Sequence, residues 1–439
     1  MKPELQRTFL IFLKKNDCGE FSGVSEVPES GFESSRMQKG HKTINKFLDA
    51  SLRDFFYRLY THKLKIDGLE VIKMISKEVG QNFVDRPAYA FVKGAGMYYS
   101  SDPMLMITVR YMEKEYERVM FIEQEFDPSA SRIVNHIYTT CISPGSLWPE
   151  EFVRKMTDTS LKHSSFRNSL LLFDGETGMK ETENFIEMFE KAEPGALKVS
   201  ELYIPSEKKE EIERFIYAVE HYNEDRINLR YLLSGPPGTG KTQLMSSVAN
   251  RLHGKAMVII AKGSNSYLPD LISFSGLFEP VVLMIDDIDL AIGTRENTFD
   301  KRKLGIFLQQ LDGFLPQPLF IIAVTNDKRL VDMAASRPGR FDLILDTGEM
   351  SFENYAGLIR RETDDREIIS LFDDGILKKM KSRNVTGAFI VSLVKQLRSR
   401  KKMNGYIRRE EMNIMFDMQH RGFYSNNAKA VEESVGFNN

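Results

Sequence analysis

Two cysteines, Cys18 and Cys141, are all that the 439 residues contain, and neither lies in a CxxC or Cys/His cluster. That excludes a disulfide scaffold and a structural zinc site, and it fits a reducing compartment. None of the seven histidines (His41, His62, His136, His163, His221, His253 and His420) falls in an H-E-x-x-H segment, so these residues carry no zinc-protease centre of that type. A charge excess is missing as well. Lys and Arg total 60 against 62 Asp and Glu, a net −2, so any grip on a polyanion must come from a local patch. Long apolar runs do not occur: the uncharged stretch Thr8 to Leu13 is six residues, too short for a signal core or a membrane span. The expected location is therefore the cytoplasm.

What the chain does have is ordinary globular texture, with 42% hydrophobic and 28% charged residues, which excludes disorder throughout. At about 150 residues per domain its length implies roughly three domains. Residues 1–45 read as a flexible lead-in rich in Gly and Ser. Phe47, Leu48, Leu52, Phe55, Phe56 and Leu59 recur at three and four, which predicts an amphipathic helix, and Leu69, Val71, Ile72, Met74 and Ile75 predict a second. Strand-like runs follow between Ala88 and Phe126, and a further helix is expected over Lys180 to Ala192. Residues 46–195 thus read as an α+β domain with no catalytic spacing, suited to binding a substrate or partner. Apolar strands then alternate with helices through 196–350, which implies a parallel sheet with right-handed crossovers. Residues 351–420 are helical only and 421–439 read as a loose tail.

Chemistry concentrates at Gly235-Pro236-Pro237-Gly238-Thr239-Gly240-Lys241-Thr242, set between the apolar strand YLLS and a helix. This is G-x-x-x-x-G-K-[ST] in its required strand, loop and helix context. The glycines let backbone N–H groups point inward at phosphate oxygens, Lys241 reaches the β and γ phosphates, and the Thr242 hydroxyl suits Mg²⁺. Forty-four residues beyond Thr242, the strand VVLMI ends in Asp286-Asp287-Ile288-Asp289. Asp286 is placed to order Mg²⁺ and Asp287 to orient an attacking water. ATP and Mg²⁺ are the cofactors these residues imply.

From here the sequence resembles the AAA clade of ring ATPases, over roughly residues 199–420. Gly293-Thr-Arg-Glu296 continues the second Walker strand, and Leu311-Asp-Gly-Phe314 resembles the inter-subunit signalling segment. Phe320-Ile-Ile-Ala-Val-Thr-Asn326 resembles the sensor strand, with Asn326 near the γ-phosphate or the water. Arg337-Pro-Gly-Arg-Phe-Asp342 resembles the end of the second region of homology, which makes Arg337 and Arg340 arginine fingers for a neighbouring subunit. In Val385-Thr-Gly-Ala-Phe389, Gly387 and Ala388 match the segment near adenine and ribose. The resemblance implies the P-loop NTPase fold, α/β with a C-terminal helical lid, preceded here by the α+β domain. It also implies a homo-oligomeric ring, most often a hexamer, and ATP hydrolysis coupled to remodelling, unfolding or translocating a protein substrate bound by the amino-terminal domain or an adaptor.

Two departures bear on mechanism. The usual Asp-Glu pair is Asp286-Asp287, one methylene shorter. Only 25 positions separate Ala261 from Asp286, so the pore segment is short, with Tyr267-Leu268 the candidate for gripping a polypeptide and a domain-packed Tyr267 the equal alternative. Both departures favour a nucleotide-dependent assembly switch without threading, and the short segment also resembles that of the mitochondrial Rieske-protein translocase, a mover of folded cargo. A final feature is the basic run Lys395, Arg398, Arg400, Lys401, Lys402, Arg408 and Arg409, with no acid between. It reads first as a solvated helix end and only second as a nucleic-acid contact.

Overall fold

A computed structural model describes residues 38–44, 46–77, 83–84, 89–100, 102–111, 117–127, 132–141, 149–174, 188–263, 268–289, 319–326, 340–348 and 350–435. Trp148, Tyr267, Gly293 to Glu296, Leu311 to Phe314 and Arg337 lie outside them. The chain forms two compact units, residues 1–165 with 184–187, and 166–183 with 188–439.

The first unit is α+β, as expected. Strand β1 (Gln38–Ile44) precedes helix α1 (Lys46–Tyr60), then come β2 (Leu69–Lys77), β3 (Phe83–Val84), β4 (Ala90–Val92), β5 (Met97–Tyr99), β6 (Met104–Tyr111), β7 (Glu117–Asp127), β8 (Arg132–Cys141) and helix α2 (Pro149–Lys162). Six strands make an antiparallel sheet in the order β1-β8-β7-β6-β2-β3, and β4 and β5 form a separate hairpin. Met104 to Val109 of β6 are all buried, so this central strand is covered on both faces. Arg53, fully buried on α1, pairs with Asp49 one turn earlier at 3.0 Å and donates Nη1 to the carbonyls of Ser100 and Asp102 at 3.2 and 2.8 Å. A buried guanidinium is tolerated only with such partners, and here they tie α1 to the segment entering β6.

The residues 69–75 form β2, not the expected helix. A β-bulge between Val71 and Lys73 breaks the two-residue alternation. Leu69, Val71, Met74 and Ile75 are buried while Ile72 is 36% exposed, a spacing that imitates a helical stripe. Likewise the lead-in already contains β1, which pairs with β8 from Gln38↔Cys141 to Ile44↔Asn135.

The second unit starts with β9 (Leu170–Phe173) and β10 (Phe189–Lys191), followed by α3 (Ser206–Glu220), α4 (Tyr222–Asp225), β11 (Arg230–Ser234), α5 (Lys241–Leu252), β12 (Met257–Lys262), α6 (Leu268–Ser275), β13 (Val281–Asp286), β14 (Leu319–Thr325) and β15 (Leu343–Asp346). Seven strands order as β10-β9-β12-β13-β14-β11-β15, parallel except for the β10 edge. Val281 to Ile285 are completely buried, as a central parallel strand requires. Strands β9 and β10 come from residues that the sequence pattern groups with the amino-terminal domain. Within the expected helix over 180–192, the described residues Phe189–Lys191 form strand β10 instead, and Leu170 to Phe173 pair with Val258 to Ala261. Four-residue apolar runs carry no mark of the sheet they join.

The lid is helical as expected: α7 (Phe352–Glu362), α8 (Arg366–Ser370), α9 (Asp374–Ser382), α10 (Gly387–Asn404) and α11 (Arg409–Val435). Tyr355, Leu358, Phe389, Leu393, Met412 and Phe416 form its core. Helix α11 runs through most of the expected tail. Ser425-Asn-Asn427 are weak helix formers, but Ala428, Lys429, Ala430, Glu432 and Glu433 are good ones that carry the helix on.

Candidate nucleotide site at the carboxyl ends of the strands

Parallel pairing aligns the carboxyl ends of neighbouring strands, with Ser234 of β11 opposite Thr325 of β14 and Asp346 of β15. The loops after them therefore meet in the crevice where open parallel sheets bind ligands. Gly235, Gly238 and Gly240 have φ of 145°, 82° and 89°, the left-handed region that side chains disfavour. A Cβ on Gly235 would stand 2.7 Å from Thr347 Oγ1, and one on Gly238 2.8 Å from Ala388 Cβ. Pro236 and Pro237 offer carbonyls but no N–H. Lys241 is buried at the start of α5, and its Nζ donates to the carbonyls of Gly235 at 2.6 Å and Pro236 at 2.9 Å. Burial pulls its pKa below the ordinary lysine value, opposed by the charges of Asp287, Asp289, Asp286 and Asp346. Phosphate oxygens would offer such an ammonium a better partner than its own loop.

Thr347 supports the loop from behind. Its backbone N–H and hydroxyl both donate to Ser234 O, at 2.7 and 2.9 Å, and its Oγ1 lies 2.8 Å from that of Thr239, which donates to Pro236 O at 3.0 Å. No sequence motif points to Thr347. Only its place at the end of a strand beside β11 does.

Thr242 Oγ1 donates to Asp286 Oδ2 at 3.2 Å. A hydroxyl beside a carboxylate suits Mg²⁺, which keeps several waters and takes few protein oxygens. Among the described residues no group of three or more His, Cys, Asp or Glu could hold an ion unaided. Asp287 follows in a left-handed conformation, φ 49°, and accepts from Asn326 Nδ2 at 3.0 Å. Burial raises its pKa, with the charges of Asp286 and Asp289 acting in the same direction and the Asn326 bond and Lys241 opposing.

Gly263, at the end of β12, donates its N–H to Asp286 O at 2.7 Å. A Cβ there would lie 2.2 Å from Asp287 O and 2.5 Å from Ile288 Cα, so only glycine admits this turn. Sequence reasoning missed Gly263. Its signal was a glycine closing a strand that pairs, Lys262 with Asp286, beside the acidic strand end.

From the lid, Ala388 N–H donates to Gly238 O at 3.0 Å, and a Cβ on Gly387 would lie 3.6 Å from the same oxygen. Both sequence-chosen lid residues thus meet the loop. Arg340, the second candidate finger, is 6% exposed in the single chain and has partners within it. Leu268 is buried too, at the first turn of α6, and is not presented as a gripping residue. Three of the seven cations in the basic run have partners across the lid. Lys401 pairs with Asp365 and Glu367 at 2.7 Å, Arg409 with Asp373, and Arg398 donates to Glu362 O.

A glycine loop after an inner strand, a lysine closing over it and an acidic pair two strands away define a phosphate-binding-loop nucleotide domain with a helical lid. Residues 231–349 match the ATPase family associated with various cellular activities (AAA), and the domain they span is an AAA ATPase domain. The chain is 32% identical to proteasome-activating nucleotidase 2 of Haloferax volcanii over 37% of this chain and 43% of that protein. It is 26% identical to the ATP-dependent zinc metalloprotease FtsH 2 of a Thermoanaerobacter species over 50% of this chain and 46% of that protein. With the yeast mitochondrial inner membrane i-AAA protease supercomplex subunit YME1 it shares 30% identity over 38% of this chain and 24% of that one. The chain thus spans less than half the length of these relatives. No helix among the described residues is long and apolar enough to cross a membrane.

Proposed function

We propose that the chain binds ATP with Mg²⁺, hydrolyses it as an oligomer, and uses the cycle to remodel a protein partner. The observation that carries this is the convergence of Lys241, the Thr242–Asp286 pair and the Asn326–Asp287 pair on one glycine loop. In this reading Lys241 leaves its own carbonyls for the β and γ phosphates, while Thr242 and Asp286 hold the ion. Mg²⁺ would neutralise charge on the transferring phosphoryl group. Asp287 accepts a proton from the attacking water, and Asn326 fixes the carboxylate that does so. Ala388, bonded to Gly238, carries changes at the loop into the lid. Arg337 and Arg340 are the fingers that complete a neighbour's site.

Two substitutions test the hydrolytic core. Lys241→Ala should abolish nucleotide binding by calorimetry, and retained tight binding would contradict the loop reading. Asp287→Asn should bind ATP normally with hydrolysis reduced by about 10²-fold or more, the range for a general base. The same variant, held in ATP, should trap the partner in a pull-down.

One observation favours the assembly-switch reading over threading. Helix α6 has eight residues, and Leu268, Leu271, Ile272 and Phe274 are buried, so the short pore segment is mostly committed to the core. Tyr267→Ala decides between them. Lost substrate turnover with an intact ATPase rate supports threading, and no effect on any activity supports the switch.

A further inference from the structure

We infer that Asp289 is a positioning residue for hydrolysis, fixing the end of β14 so that Asn326 can hold Asp287. The inference rests on the hydrolytic reading above. Strands β13 and β14 pair as far as Ile285↔Ala323, and beyond that point the two chains separate. The backbone N–H of Asn326 then has the carboxylate of Asp289 as its acceptor, at 3.1 Å to Oδ1. The Asn326 side chain returns across the gap and donates to Asp287 Oδ1 at 3.0 Å.

A closed loop results. It runs from Asp287 through the backbone to Asp289, across to the Asn326 backbone, and from the Asn326 amide back to Asp287. Ile288, fully buried between the two acids, anchors the turn, and the left-handed Asp287 gives it its sharpness. Without Asp289 the loop is open, and the Asn326 amide hangs on the last residue of a strand end with one fewer tether. An aspartate at 287 has little reach to compensate, so the placement of Asn326 matters more than it would beside a longer acid. A carboxylate is the stronger acceptor for a backbone N–H, which suits a residue whose work is to hold a strand end still.

The roles of shape and charge separate experimentally. Asp289→Ala removes both the acceptor and the charge, whereas Asp289→Asn keeps an accepting oxygen at the same distance and removes only the charge. Steady-state ATPase kinetics, ATP affinity by calorimetry and hydrogen exchange at the Asn326 amide are measured on the full chain for wild type and both variants. The expected result is a fall in kcat of about 10-fold for Asp289→Ala, the size of a lost charge-assisted hydrogen bond. Its amide exchange at Asn326 should quicken, and Asp289→Asn should restore most of kcat and protection. A change in ATP affinity common to both variants reports the lost charge near Lys241 and leaves the kcat comparison intact. The inference is overturned if Asp289→Ala keeps kcat within twofold, if both variants fall equally, or if exchange at Asn326 does not respond. In each of those cases a hydrolysing wild type leaves the proposed function standing. A wild type that binds ATP but does not hydrolyse it removes both.

Discussion

Gly263 shows how one missing methyl group sets the acidic turn. The carbonyl of Asp287 and the Cα of Ile288 occupy the space a side chain would take, at 2.2 and 2.5 Å from an added Cβ. Both are backbone, so relief requires the Asp286–Ile288 turn to move, carrying the Asp287 carboxylate away from Asn326. Gly263→Ala should therefore destabilise the domain by about 1–3 kcal/mol, the usual cost of overpacking. It should also lower kcat more than ATP affinity, because Lys241 starts helix α5 and bonds only its own glycine loop. Thermal melts and ATPase kinetics check both, and a kcat matching wild type would show that the turn adapts without moving Asp287. The residues that touch phosphate or water were legible because their spacing is chemical: G-x-x-x-x-G-K-T, an acid pair, a polar strand end. Gly263, Thr347 and Asp289 were not, because they act on the backbone of those residues from other strands, and no local pattern records which strand will lie beside which.

Among elements, the lid carries charge pairs on its surface that report on pH. Lys401 hydrogen-bonds to Asp365 and Glu367 and holds both carboxyls below their ordinary pKa. The backbone N–H of Ile376 does the same for Asp373, helped by Arg409, and Lys379 and Arg383 do so for Asp417. A folded pKa below the unfolded one contributes stability above the unfolded value and loses it as pH falls through the folded one. The lid should thus keep its protection down to about pH 4, the ordinary carboxylate value, and lose it below. Hydrogen exchange in peptides spanning 363–373 measures this directly, and Lys401→Met should weaken protection at neutral pH and flatten its acid dependence. Identical acid profiles for the two proteins would remove Lys401 from the account. The elements themselves were readable where periodicity was clean, as in α1 and the lid helices. At β2 the bulge after Val71 shifted the alternation into helical spacing, and at β9 and β10 the runs were too short to declare a sheet partner.

At the scale of the whole chain, the location of β9 and β10 decides what the ATPase unit needs in order to fold. Strand β9 supplies the neighbour that β12 would otherwise lack, pairing Leu170 to Phe173 with Val258 to Ala261. Behind it, the rings of Phe166, Phe189 and Phe274 lie 5.1 to 5.6 Å apart, and Phe173 stands 4.8 Å from Phe189. Each buried phenylalanine is worth about 1.5–3 kcal/mol, so losing three of them at once is comparable to the stability of a whole domain. The connecting segment is tied as well, since Asn250 accepts from Gly195 N–H at 2.7 Å and donates to Leu197 O at 3.2 Å. A fragment of residues 196–439 begins where the composition changes, and it carries every nucleotide-binding residue. It nonetheless bares the edge of β12 and strips Phe274 of two of its ring partners, Phe166 and Phe189, and an uncovered apolar edge invites pairing with other chains. That fragment should aggregate or melt well below the full chain, while residues 166–439 should stay soluble and bind ATP with the affinity of the full chain. Expression of the two fragments, with light scattering and calorimetry, separates the cases. Equal behaviour would mean that β9 and β10 only decorate the sheet, whereas failure of the shorter fragment alone would make residues 166–195 part of the ATPase unit.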